Sequence, residues 1–157
     1  MVELQQAEVD DVIAALNYLK SQSFVDSARI ALSGCSYGGI QTLLAGERNL
    51  GVKALVPFAP GAMSSEQNVP LRDLLVAAVD HAKAPVFLLQ AENDYSLAPS
   101  QVLSNEASKN HKAFQSKIYP AFGKSHQDGH WGFCSSATGV WGNDVLAFLD
   151  AQMKTSD

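Results

Sequence analysis

Gly34-Cys35-Ser36-Tyr37-Gly38 places a serine between glycines at minus two and plus two, the G-x-S-x-G pattern of a nucleophile elbow. In such an elbow the serine sits on a strained turn between a strand and a helix, and the glycines give the two elements room to approach. The spacing selects Ser36 over Cys35, because centred on the cysteine the flanking positions are Ser33 and Tyr37. A serine hydroxyl is a weak nucleophile at neutral pH and needs a base within hydrogen-bond reach. An imidazole, with its ordinary pKa of about 6.5, can take that proton and return it, and a buried carboxylate can hold the imidazole in one tautomer. The five-residue pattern alone also describes a glycine-rich loop, so its meaning depends on the elements around it.

Those elements follow from periodicity. Val9, Val12, Ile13, Leu16 and Leu19 recur at helical spacing and predict an amphipathic helix over Val2–Lys20. Residues 29–33 read as the strand entering the elbow and 38–48 as the helix leaving it. A second apolar strand spans 53–58, closed by Pro57 and Pro60; after a loop over 61–68, a helix spans 70–79 with proline in its first turn. Residues 85–90 form a third strand that runs into the polar cluster Glu92-Asn93-Asp94-Tyr95-Ser96. A helix over 99–110, a strand over 114–119, a Gly- and His-rich loop over 120–136 and a helix over 140–153 complete the chain. Strands that alternate with helices and read apolar throughout predict a single α/β domain over 1–157: a parallel sheet of about four strands with helices on both faces.

Open parallel sheets bind their ligands beyond the carboxyl ends of the strands. Ser36 follows the first strand, Asp94 the third, and His126 and His130 the fourth, the chain order serine, acid, histidine. Glu92 is the alternative acid, two residues nearer the strand, and Asp94 could instead be a turn residue ahead of Pro99. His81 and His111 fall in or at the ends of helices. His130, set among small and aromatic residues, is favoured over His126 in its hydrophilic setting. Phe58, Met63, Tyr95, Trp131 and Phe133 can line a modest apolar pocket, with Trp131, Tyr95 and Met63 the substrate-binding candidates, although such side chains are more often plain core. The span from 61 to 70 is too short for a large lid. Convergence of His126 and His130 on a metal would need a helix, and the glycines around them argue for a loop, so no metal site is expected.

Composition narrows the partners. The 157 residues are 46% hydrophobic and 17% charged, ordinary for a globular chain, and carry a net charge of -5 with no basic cluster. Nucleic acid is not indicated. No apolar stretch approaches the roughly 18 residues of a membrane span, and the amphipathic start lacks the features of a signal peptide. Cys35 and Cys134, with no C-x-x-C pair, read as free thiols in a reducing compartment, which places the chain in the cytoplasm.

The chain resembles the α/β-hydrolase superfamily, closest to the dienelactone hydrolase-like esterases. The resemblance rests on 25–30 leading to Gly34-Cys35-Ser36-Tyr37-Gly38-Gly39, on Ala91-Glu92-Asn93-Asp94, on Tyr119-Pro120 followed by Gly129-His130, and on the closing segment 141–149. It implies an esterase-type triad of Ser36, Asp94 and His130 working through an acyl-enzyme without a cofactor. Dienelactone hydrolases proper carry cysteine as nucleophile; Ser36 at that position implies a general carboxylesterase for short-chain acyl esters. The resemblance begins at the helix before the elbow strand, so the family's opening strands would be missing. One oxyanion donor would be the Tyr37 N–H, while the loop that normally supplies the second would be absent. The elbow strand would then have an unpaired side, which predicts a homodimer or other homo-oligomer unless the Val2–Lys20 helix covers it. The Ser-Tyr-Gly-Gly elbow also resembles that of prolyl-oligopeptidase-like peptidases, which would require a propeller domain. A weakly active or non-catalytic remnant is the remaining alternative.

Overall fold

A computed structural model describes residues 2–154. Strands β1 (Ala31–Cys35), β2 (Ala54–Phe58), β3 (Val86–Ala91) and β4 (Phe114–Tyr119) form one parallel sheet in the order β1-β2-β3-β4. Helix α1 (Val2–Lys20) precedes the sheet, and α2 (Tyr37–Glu47), α3 (Val69–His81) and α4 (Ala98–Lys109) connect successive strands. After β4 come a π-helical turn (Asp128–Gly132), α5 (Phe133–Ser136) and α6 (Thr138–Met153).

Side chains alternate between the two faces of each strand, and each face has its own core. Leu32, Leu55, Val86 and Leu88 pack with Leu43, Leu71, Leu75 and Leu103 from α2, α3 and α4. Ala31, Val56, Phe58, Phe87 and Leu89 pack on the other face with Phe133, Val145 and Phe148 from α5 and α6. The three crossover helices share one face, as consecutive pairing with a single hand of connection requires. Val9 and Leu16 bury α1 in the same core, against α2 and α3.

This placement leaves the outer side of β1 uncovered by α1. Lys53 N–H donates to Ile30 O and Ser36 N–H to Phe58 O. Even-numbered residues of the strand therefore face β2, and the N–H and C=O groups of Ala31, Ser33 and Cys35 point to the free edge.

Three expectations are corrected. Pro57 lies inside β2 and does not close it. Leu55 N–H donates to Pro85 O and Ala59 N–H to Leu89 O, and the donor between them is missing because proline has none. Residues 126–136 are helical, where a loop was expected. Asp128 Oδ2 accepts from Lys124 N–H and Ser125 N–H and so starts the turn, while Gly129 sits where a Cβ would come within 2.5 Å of Asn93 Oδ1. Glycine there marks close packing of a helical turn on its neighbour. Finally, Cys35 and Cys134 are not free thiols. They form a disulfide with Cα atoms 6.1 Å apart across a sequence separation of 99, because the fold brings the end of β1 to α5. No helix among the described residues is long and apolar enough to cross a membrane.

Candidate active site

Ser36 connects β1 directly to α2 and adopts φ 56° and ψ -111°, a left-handed conformation that a residue with a Cβ adopts at a cost. Its N–H donates to Phe58 O at 2.9 Å and its carbonyl accepts from Ile40 N–H at 3.1 Å, so both sides of the elbow are fastened. A Cβ on Gly34 would stand 2.3 Å from Gly38 O, and one on Gly39 would stand 2.8 Å from Phe58 O. A Cβ on Gly38 would meet nothing within 4 Å. The close approach is thus carried by Gly34 and Gly39, a different pair from the two glycines of the motif.

Beyond the carboxyl end of β3, Asp94 is buried in a tight turn, its N–H bonded to Ala91 O. His130 is fully buried within the π-helical turn. His130 Nδ1 lies 2.8 Å from Asp94 Oδ1, and His130 Nε2 lies 2.8 Å from Ser36 Oγ. A carboxylate accepts only, so Nδ1 carries the hydrogen, and the Nε2 lone pair is left to accept from the Ser36 hydroxyl. The three groups form one continuous hydrogen-bonded chain that can draw a proton off the serine as its oxygen attacks an electrophile.

The acid and the base are held by further bonds. Asp94 Oδ1 also accepts from Tyr95 N–H at 2.6 Å, and Oδ2 accepts from Gln90 Nε2 at 2.9 Å. Asn93 holds the histidine segment: its Nδ2 donates to Phe122 O and Ser125 O, and its Oδ1 accepts from Phe122 N–H. His126 turns away from the serine, its Nδ1 at 3.0 Å from Asn93 O and 3.1 Å from Asp94 O. The two imidazoles share a helical segment but serve different partners. Glu92 is exposed on the surface, and His81 lies beside Glu47.

The disulfide ties these two parts of the site together. Cys35 precedes Ser36, and Cys134 stands four residues after His130.

On the open side, the Tyr95 and Trp131 rings meet the His130 ring edge-on at 5.5 and 5.3 Å, with both aromatics about half exposed. Met63, 59% exposed, shares a small polar depression with Glu66, Gln67, Tyr95 and Ser96. Phe58 and Phe133 are core residues, buried against Trp141, Tyr119 and Phe122. Tyr37 opens α2, so its N–H has no intrahelical acceptor and lies at the positive end of the helix dipole. Its phenol leans on Glu8 and Gln41; burial first, then the Glu8 hydrogen bond and charge, raise it above the ordinary tyrosine pKa. The sheet stops at β1, so among the described residues no loop from a strand beyond it faces Ser36.

Sequence reasoning missed Gln90, Asn93 and the disulfide. A glutamine inside the apolar run of β3 was a visible signal for the first.

Comparison with solved structures supports the fold. A Klebsiella pneumoniae protein titled as a dienelactone hydrolase superposes with a TM-score of 0.74 at 17% identity, over 92% of this chain and 61% of that one. An esterase of Pyrococcus furiosus gives 0.72 at 15% identity, over 94% and 62%. A puromycin-hydrolysing peptidase of Mycobacterium tuberculosis gives 0.71 at 22% identity, over 95% of this chain and 26% of that one. The chain thus spans about three fifths of the first two and a quarter of the third. In sequence, the profile of the dienelactone hydrolase family matches residues 1–148, and the chain belongs to that family.

Proposed function

We propose that this chain is a serine hydrolase that cleaves short-chain carboxylic esters through a triad of Ser36, His130 and Asp94. The single observation that carries the reading is the unbroken chain of 2.8 Å contacts from Asp94 Oδ1 through His130 to Ser36 Oγ, with the serine on a left-handed turn. Ser36 Oγ attacks the ester carbonyl as His130 Nε2 takes its proton. The oxyanion of the tetrahedral intermediate forms beside the Tyr37 N–H. Collapse breaks the bond to the alcohol, which leaves with the proton from His130, and the acyl group stays on Ser36. Water attacks in the second half, giving its proton to His130; the acid departs and the serine hydroxyl is restored.

To the substrate side we assign Tyr95 and Trp131, packed edge-on against His130, and Met63 beside Tyr95, and the short span from 61 to 70 favours small substrates. Self-association along β1 belongs to the same reading: the edge carries no charged residue to discourage pairing, and a second copy would cover it. Sedimentation of the free protein should show a dimer or larger; a monomer at all concentrations would remove this part. The cytoplasmic placement rested on free thiols, and the disulfide takes away that ground.

Hydrolysis of p-nitrophenyl acetate, butyrate and longer esters tests the activity. Turnover on the short esters should fall by about 10⁴-fold or more in Ser36→Ala. Parent protein that neither turns over these esters nor takes up a fluorophosphonate at Ser36 would favour a remnant that keeps the residues without the activity.

A further inference from the structure

Gln90 is the one polar residue of β3, Val-Phe-Leu-Leu-Gln-Ala, and it is fully buried. Its amide is completely used. Nε2 donates to Asp94 Oδ2 at 2.9 Å and to Ser96 O at 2.8 Å, while Oε1 accepts from Ser100 Oγ at 2.5 Å. Ser100, also buried, stands in the first turn of α4. A buried amide amid apolar neighbours is tolerated only when its groups are satisfied, and every group of this one faces the turn that carries Asp94 or the helix after it.

We propose that Gln90, locked by Ser100, is a positioning residue of the Ser36–His130–Asp94 site. The inference rests on the hydrolase reading for its kinetic consequence and on geometry alone for its structural one. Asp94 offers two oxygens. One is shared between His130 Nδ1 and Tyr95 N–H, and rotation about its side-chain bond would take it out of line with the imidazole. The Gln90 bond to the other oxygen fixes that rotation. Ser100 matters because an amide can turn over: with Oε1 facing Asp94 Oδ2 and Ser96 O, lone pair would meet lone pair. The Ser100 hydroxyl holds Oε1 on the far side and so keeps Nε2 pointed at the carboxylate. The base is thus aligned through a buried series Ser100, Gln90, Asp94, His130 that ends on the part-buried Ser36 and joins α4, β3, the π-helical turn and the elbow.

Gln90→Met keeps the size of the side chain and removes all three hydrogen bonds of the amide. The expected result is a fall of about ten- to a hundredfold in kcat with KM nearly unchanged, since a bond to a charged group is lost away from the substrate surface. Ser100→Ala should give a smaller loss, about threefold, and should add nothing in the Gln90→Met background because both act through one amide. A second readout needs no turnover: the hydrogen-bonded His130 Nδ1–H proton, expected far downfield in an NMR spectrum of the parent, should weaken or broaden in Gln90→Met. Parental kcat, an additive double mutant or an unmoved Nδ1–H resonance would each overturn the proposal. If Gln90→Met does not fold, Ser100→Ala takes the same two tests with the amide left in place. Should the parent itself turn over no ester and take no fluorophosphonate, the hydrolase reading fails, and the resonance alone decides for or against Gln90.

Discussion

Two walls hold Ser36, and they are built differently. One, from β3 and the helical segment after β4, offers the serine a base whose every polar contact is answered: Asp94 accepts three hydrogen bonds, Gln90 uses its whole amide, and Asn93 clamps the turn that carries His130. The other, from β1 and α2, offers a strained backbone, one helix-terminal N–H and a strand whose outer edge is free. Taking up the serine's proton requires fixed side chains, and those come from buried networks that cannot rearrange cheaply. Stabilising the oxyanion requires backbone N–H groups, which depend on strands and loops placed next to β1. Among the described residues the sheet stops at β1, so on the proposed hydrolase reading the base side is fully bonded while the oxyanion side rests on the Tyr37 N–H. The opposite edge of the sheet makes the same point: β4 presents Gln115, Ser116 and Lys117 to solvent, and Lys117 pairs with Asp144 at 2.6 Å. Polar, charged edges stay single, and β1 has no such protection.

The disulfide is the one covalent link between the walls, so breaking it is the strongest way to test whether they act as a unit. Closing a loop of about a hundred residues stabilises a fold by about 2–4 kcal/mol in practice. Cys134→Ser, or the parent in reductant, should lose roughly 5–15 °C in Tm on that scale. Activity at room temperature should fall in both, and adding reductant to Cys134→Ser should change nothing further. If Tm drops while activity well below it is untouched, the hydrogen bonds alone keep the walls in register, and the bridge acts only on the unfolded chain.

The next contrast lies inside the elbow. Gly34→Ala drives a methyl to within 2.3 Å of Gly38 O, an atom of the backbone that can give way only if the turn opens. Overpacking of this kind lowers stability by about 1–3 kcal/mol, and here it also moves Ser36 away from His130. Gly38→Ala meets open space, and α2 gains a better helix former than glycine, so its stability should stay within about 1 kcal/mol of the parent or rise. Thermal melts of the two variants side by side check this. Equal losses would mean that the elbow needs the plus-two glycine after all, and that the free space beside it is taken up when the site works.

How far these walls were legible in the sequence follows from how local their causes are. The alternation of apolar strands with helices, and Ser36, Asp94 and His130 at strand ends, can be read because side-chain period and chain order are local properties. Gln90 stands out as the one polar residue of an apolar run, but nothing local says which turn its amide serves, and Pro57 is masked by the rule that proline ends a strand. Gly123, Gly129 and Gly132 lower helix propensity and make 126–136 look like a loop, whereas the packing of Gly129 on Asn93 decides for a helical segment. Phe58 looks like a pocket residue in the sequence because the rings that bury it, Phe133 and Trp141, come from the far end of the chain. The bridge needs two positions 99 residues apart to meet, and spacing carries no information about that.

The smallest effect belongs to the outer end of the base wall and depends on pH. Asp128 starts the turn that carries His130, and the Lys124 N–H, then the Ser125 hydroxyl and N–H, hold its carboxyl below the ordinary value of 3.8. A carboxyl depressed in the folded state stabilises the fold above its unfolded pKa, and that contribution is lost as the pH falls through the lower folded value. Asp128→Asn, which cannot ionise, should therefore melt slightly below the parent at neutral pH and approach it as the solution is acidified past 3.8. Both curves will fall in acid as other carboxylates protonate; the difference between them isolates Asp128. A gap that widens on acidification would mean that the bonds at Asp128 favour the protonated form. A gap that never appears would place the start of this turn on the fit of Gly129 against Asn93 and not on charge, leaving the base wall held by packing at its outer end and by hydrogen bonds only near the serine.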